Sequence, residues 1–269
     1  MANNLDLREP EVLDIPKGYR AYKIKGVDHT IIARKGGPTA DQIKNQDSYL
    51  ELRNNQKEFG VASILAKSLR DSIPSELYKI SEKYVSGKLT AQFRNLAKLE
   101  KGTTGTRSFI LSDHAGELQG FDFNPDSPFP GAFSDRFFIR EGSHRGHAIL
   151  HFPEFIPSQM FDAPDGTTNF KISAHIVSLS DFYFDEEVGA YYPANPEFQG
   201  KFGSFETQML PLLNFPVQPM TGQLSVNQGR SVPMKTGIFL IMAIRFFKYA
   251  DSKFEQLNHG SSMRILRTF

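Results

Sequence analysis

The chain contains no cysteine and no tryptophan among its 269 residues. Without cysteine there are no disulfides, thiolate zinc sites or cysteine nucleophiles. Without tryptophan a sugar-binding platform has lost its most effective aromatic surface. Long apolar runs are also missing. GIFLIMAIRFF, the longest, is interrupted by Arg245 and falls short of the ~20 residues of a membrane helix. The opening MANNLDLREPEVLDIPKGY has no basic start followed by an apolar stretch, so no secretory signal is expected. These absences predict a cytoplasmic protein without a membrane span, while leaving room for assembly into an extracellular or virus-like particle.

Motifs of catalysis are equally sparse. There is no G-x-S-x-G elbow, no G-x-x-x-x-G-K-[ST] loop and no G-x-G-x-x-G turn. Gly36 and Gly37 in HTIIARKGGPTADQIK precede a helix start, an order that can cradle phosphate. Lacking the motif, they read as a turn that ends an arm. No catalytic residue and no cofactor is implied.

What is present is an ordinary globular composition, 39% hydrophobic and 23% charged, with 24 phenylalanines. Net charge is +1, unevenly spread. Residues 1–110 hold 19 Lys and Arg against 13 Asp and Glu, a net of +6, and the remainder 12 against 17, a net of −5. Such asymmetry suits an anion-binding half or complementary packing of subunits.

Residues 1–37 read as an extended arm with one strand at HTIIAR. Thr39 with Gln42 three residues later forms a capping-box pattern, opening a helical subdomain over 38–102. Phe59, Ala62, Leu65, Ala66 and Leu69 recur at helical spacing. Pro74 breaks the chain, after which Leu77, Ile80 and Tyr84, then Leu89, Phe93, Leu96 and Leu99, give further apolar faces.

At KGTTGTRS the period changes. SFILS, LQGFDFN, DRFFIR, HAILHF, TNFKISAHIVSL, DFYF, AYYP, FETQML, GIFLIMAIRFFKY, FEQL and MRILRTF follow as short strands separated by Gly, Pro, Asp and Asn. The expectation is an α+β chain, a small N-terminal helical subdomain followed by an antiparallel β-sandwich over 103–269, jelly-roll or Ig-like. In FKISAHIVSL, Phe170, Ile172, Ala174 and Ile176 face one way and Lys171, Ser173, His175 and Val177 the other. GIFLIMAIRFF, apolar on both faces, is expected to lie centrally.

Three segments, NNQKEFGVASILAKSLR, LQGFDFN and FDAPDGTTNFKI, resemble a family of bacterial proteins of about this length, mostly from Bacteroidota, without an assigned activity. The likeness covers most of the chain beyond residue 38. Asn169 stands where that family has a histidine, and Asp165 lies in the turn. The resemblance implies the helix-then-β layout and no chemistry.

Four groups of residues compete for function. SHRGHAILHF carries His144, His147 and His151. On a strand, His147 and His151 share a face about 13 Å apart, too far to bring both nitrogens within about 2.1 Å of one zinc. The strand reading is preferred, with His144 and His147 across the turn as the metal alternative. The acidic hairpin offers Tyr183, Asp185, Glu186, Glu187, Tyr191 and Tyr192, beside Asp181, as contacts for calcium, a sugar or a protein partner. The helices carry Lys67, Arg70, Lys79, Lys83, Lys88, Arg94, Lys98 and Lys101, a basic surface with little aromatic interleaving for nucleic acid. FDFNPDSPFPGAFSD brings Asp122, Asp126 and Asp135 into one connection, and reads as a corner pinned by Phe121, Phe123, Phe129 and Phe133.

The expectation drawn from all this is a non-enzymatic structural or interaction protein, a homo-oligomer joined through its arm and sheet edges, with other protein subunits as further partners. The alternatives are a carbohydrate- or ligand-binding, even hydrolytic, β-sandwich using the tyrosine-bearing hairpin, and a nucleic-acid-binding protein using the basic helices.

Overall fold

The computed structural model describes residues 15–24, 28–134 and 136–269. The arm expected over 1–37 therefore lies in part outside the described residues, and so does Asp135. The chain divides between Leu50 and Glu51 into two units.

In the first unit, β1 (Tyr19–Tyr22) pairs antiparallel with β2 (Ile31–Arg34), Tyr19 opposite Arg34 and Tyr22 opposite Ile31. The strand expected at HTIIAR thus pairs within its own arm. Thr39 caps α1 (Ala40–Asn45): its hydroxyl accepts from the Gln42 amide at 3.2 Å, and the Gln42 side chain accepts from the Thr39 amide at 2.7 Å. The capping box is present as the sequence predicts. None of the described residues between 15 and 50 is buried.

The second unit starts with α2 (Leu50–Asp71), which Pro74 separates from the single turn α3 (Ser75–Tyr78), followed by α4 (Val85–Ala97). Short helices α5 (Leu111–His114) and α6 (Gly131–Ser134) lead to β3 (Phe138–Glu141) and β4 (His147–Phe152). After α7 (Pro157–Met160) come β5 (Asn169–Ser180), β6 (Phe182–Asp185), β7 (Ala190–Pro193), β8 (Lys201–Glu206), β9 (Leu210–Pro211), β10 (Met220–Ser225), β11 (Thr236–Ala250) and β12 (Lys253–Thr268). The fold is mixed helix and sheet, a helical N-terminal part followed by antiparallel sheets. A five-stranded sheet runs β12-β11-β5-β8, with β9 beside β5; a three-stranded sheet runs β10-β4-β3; β6 and β7 form a hairpin.

Hydrophobic burial explains the layering. One face of the large sheet (Val177, Leu179, Phe239, Ile241, Ile265) shares a core with Leu65, Leu69, Leu89 and Phe93 of α2 and α4. Phe93 meets Phe239 edge-on, ring centres 6.3 Å apart. The opposite face (Phe170, Ile172, Ala174, Leu240, Met242, Ile244) shares a second core with Ala148, Leu150 and Phe152 of β4. β5 and β11 are therefore covered on both sides, which is why β11 reads as one continuous apolar run. Along residues 121–134, Phe123 enters the first core and Phe129 and Phe133 the second.

Several local expectations are corrected. SFILS and LQGFDFN form no strand; each contributes one isolated bridge, Phe109 with Phe182 and Asp122 with Arg264. The Asp181 carboxylate takes the Ser112 amide and hydroxyl instead, at 2.9 and 2.7 Å, and the chain coils into α5. FEQL and MRILRTF are one long strand, β12. It is joined to β11 by a two-residue turn with positive φ at Asp251 and Ser252, the backbone that matches strand twist.

Phe59 is 54% exposed, and Glu58 takes the buried position beside Val61, Ala62, Leu65 and Leu69. That burial is possible because Arg107 grips both oxygens of Glu58, at 2.8 and 2.6 Å, while the Gly105 amide donates at 2.8 Å. Tyr84 and Leu99, each placed one step outside a helical face, are 65% and 52% exposed.

Candidate functional site

The polar side of β5 is the feature that most departs from a half-wet strand. Lys171, Ser173 and His175 alternate onto the face that α2 and α4 cover, and Ser173 and His175 are buried. Register sets their neighbours. Ser173 lies opposite Glu206 of β8 and Ala243 of β11, and Lys171 opposite Arg245. Arg245 sits at an irregularity: Ile244 pairs with Ser262, yet Phe246 pairs with Leu257. Bulges of this kind re-aim a side chain. Ser261 seals the loop, accepting from the Phe246 amide at 3.2 Å and donating to the Leu257 carbonyl at 2.7 Å.

Four side chains converge from these strands. The Glu206 carboxylate accepts from Lys171 Nζ at 2.5 Å, from the Ser173 hydroxyl at 3.0 Å, and from Arg245 Nη2. Arg245 Nη1 reaches Gln256 Oε1 at 3.4 Å, and its guanidinium lies 5.6 Å from the centre of the Phe247 ring. Burial works to raise the Glu206 pKa, but the Lys171 hydrogen bond, the Arg245 charge and the Ser173 hydroxyl outweigh it and hold the carboxyl below its usual range. His175 is pushed down to about 4, chiefly by burial, with Arg245 adding to the effect and Glu206 opposing it. Its ring is neutral at physiological pH.

These groups floor a pocket of about 380 Å³ between the sheet and the turn from α2 to α3. Pro74 and Leu77 form one wall, Met209, Phe247 and Phe254 the others, and Glu76 stands at the rim. Both ring nitrogens of His175 and Nε of Arg245 are buried without a hydrogen-bond partner among the described residues. Buried polar groups are normally satisfied; others without a partner lie at Arg94, Gln199, Ser225 and Ser262, whereas three gather at this pocket.

The residues favoured by sequence reasoning lie elsewhere. In the β6–β7 hairpin, Asp185 Oδ1 accepts from the Glu187 and Val188 amides at 2.9 and 3.0 Å, closing the turn. Tyr183 pairs with Tyr192 across the strands, under the Lys235 ammonium at 5.0 Å, and burial raises the Tyr183 pKa. Tyr191 is turned inward: it donates to the Arg107 carbonyl at 3.0 Å and packs on Phe109 and Phe184. Burial raises its phenol pKa well above the ordinary value. Glu186 and Glu187 are exposed. The hairpin thus brings Tyr183 beside Tyr192 and Asp185 beside Glu187, while Tyr191 is committed to the Arg107 carbonyl.

His147 and His151 stand on the outer side of β4, with Ala148, Leu150 and Phe152 inward. The rings of His144 and His147 lie 5.2 Å apart, tilted by 32°, and the Ser143 amide donates to His147 Nδ1 at 3.1 Å. Among the described residues no three His, Asp or Glu side chains are grouped to hold a metal.

Of the basic residues, Arg70 donates to Ser86, Arg94 to Asn55, Lys98 to Asn95, and Lys88 pairs with Glu82 at 2.5 Å. Lys67, Lys79, Lys83 and Lys101 are exposed. Asp122 is held by a two-pronged contact with Arg264 and also accepts from the Phe129 amide at 3.2 Å. Asp126 donates its amide to Asn124 Oδ1. No helix among the described residues is long and apolar enough to cross a membrane.

No protein-family model, curated protein or solved structure matches this chain, so geometry alone carries the functional argument. Sequence reasoning missed Lys171, His175, Glu206 and Arg245 as a group. One signal was available: an arginine within a central apolar strand must find a buried partner or a ligand.

Proposed function

We propose that this is a non-enzymatic structural or interaction protein that self-associates, its N-terminal arm adding to a strand edge of a second copy. One observation carries the reading. None of the described residues between 15 and 50 is buried, yet they present Ile15, Tyr19, Tyr22, Ile24 and Ile32, each at least 41% exposed. A lone two-stranded hairpin is marginal in water, and an added strand of a partner supplies both hydrogen bonds and apolar cover.

Two further features fit. β3, four residues long like β1 and β2, ends its sheet with Phe138 55% exposed. The opposite charges of the two halves of the sequence favour contact between unlike surfaces of neighbouring copies. On this reading the two sheets that share a core form a β-sandwich, its outer face covered by helices, and it serves as the rigid body of the assembly.

Sedimentation of the full chain beside residues 38–269 tests the role of the arm. Loss of association on deletion is expected; an unchanged assembly state would rule the arm out.

A further inference from the structure

We propose that the pocket over His175, Glu206 and Arg245 binds a small monocarboxylate that carries an apolar group. The inference is independent of self-association and rests on what the site leaves unmatched. Lys171 and Arg245 bring two positive charges to the lining and Glu206 one negative charge, and Glu76 at the rim adds a second negative charge that brings the whole lining to zero. Glu76 is exposed at the rim, where its carbonyl accepts from Gln256 at 3.5 Å.

A purely structural ion pair would need no histidine. Glu206 already satisfies both cations and Ser173, and an aliphatic residue at 175 would fill the same space without introducing two polar atoms. His175 instead brings one donor and one acceptor into a site where neither is used, beside the unused Nε–H of Arg245. A carboxylate can accept from Arg245 Nε and from the imidazole N–H together. Such charge-assisted bonds are the strong ones. The remaining imidazole nitrogen is left to accept from a hydroxyl, where the ligand carries one beside its carboxylate.

The walls define the rest of the molecule. Leu77, Met209, Phe247 and Phe254 offer apolar and aromatic surface, and a volume of about 380 Å³ lies at the small end of ligand pockets. With Glu76 and Glu206 in a lining that is neutral as a whole, a phosphate dianion meets more repulsion than a singly charged carboxylate. The Arg245 bulge and the covering helices supply the rigid placement such a site requires.

The test is NMR titration of the full chain, histidine ring nitrogens included, with acetate, propionate, benzoate and phenylacetate, each beside its neutral amide. Expected are shifts of the His175 ring and of the Leu77 and Phe254 amides by at least one carboxylate and by none of the amides. His175→Phe should weaken that binding about ten-fold or more, the loss of one good polar contact. Phe254→Ala, at a residue 46% exposed and so expected to disturb the fold little, should weaken the aryl acids and spare acetate. The second variant keeps the test decisive if the first fails to fold. Silence of the His175 ring toward every acid, equal binding of the amides, or shifts confined to other surfaces would each overturn the proposal.

Discussion

Glu206 and Arg245 join across an intervening strand: β8 and β11 flank β5, and the carboxylate and guanidinium meet above Ser173. The contact ties three strands together on the face the helices cover, beside the buried His175. The first consequence concerns acid stability. An unfolded imidazole titrates near 6.5, whereas the folded His175 is pushed down to about 4 by burial, with Arg245 adding and Glu206 opposing. Between those values the unfolded chain binds more protons. Stability is therefore complete above about pH 6.5 and falls as pH drops toward 4, by roughly 3 kcal/mol in total. His175→Phe should flatten that slope. Urea midpoints measured across the window check it, and a slope unchanged in the variant would contradict the assignment. Glu58 and Glu206, whose folded pKa values are lowered against the pull of burial, lose their contribution only further down, as pH falls below the ordinary carboxylate range.

Glu58 is fully buried against Arg107. Removing one partner of such a pair strands the other charge, so Glu58→Ala should cost about 3–5 kcal/mol. Replacing both, Glu58→Met with Arg107→Met, should recover most of it, because desolvation is then no longer required. Denaturant unfolding of the singles and the double separates the terms. A single-mutant cost below about 1 kcal/mol would mean the pair behaves as a surface contact.

Phe93 links α4 to β11 through Phe239. Phe93→Ala should cost about 3–5 kcal/mol and lower the far-ultraviolet and tyrosine signals together, since helices and sheet share one core. Two separate transitions would show that the helices form an independent folding unit.

In the β6–β7 hairpin Asp185 already serves the Glu187 and Val188 amides. Millimolar calcium should leave the melting temperature unmoved. A site filled to 100 times its Kd would instead add about 2.7 kcal/mol, an increase easily seen by calorimetry.

Patterns with a period were legible in the sequence. The capping box at Thr39 and Gln42, the strand His147–Phe152 and the central place of β11 all follow from local chemistry or from apolar spacing. What failed depends on partners distant in sequence. Glu58 displaces Phe59 from the buried stripe because of Arg107, 49 residues away. The alternation puts Lys171, Ser173 and His175 on one face, but period two cannot show that helices from residues 51–97 cover it. The bulge that sets Arg245 over Glu206 has no local signature beyond Gly260, whose φ of +76° an L side chain rarely adopts.

The central claim is that copies of this chain associate, and the solution mass by light scattering tests it most directly. A mass that is a multiple of the 30.3 kDa chain at micromolar concentration, falling on dilution or on removal of residues 1–37, is the predicted result. A single-chain mass that does not change with concentration would contradict it.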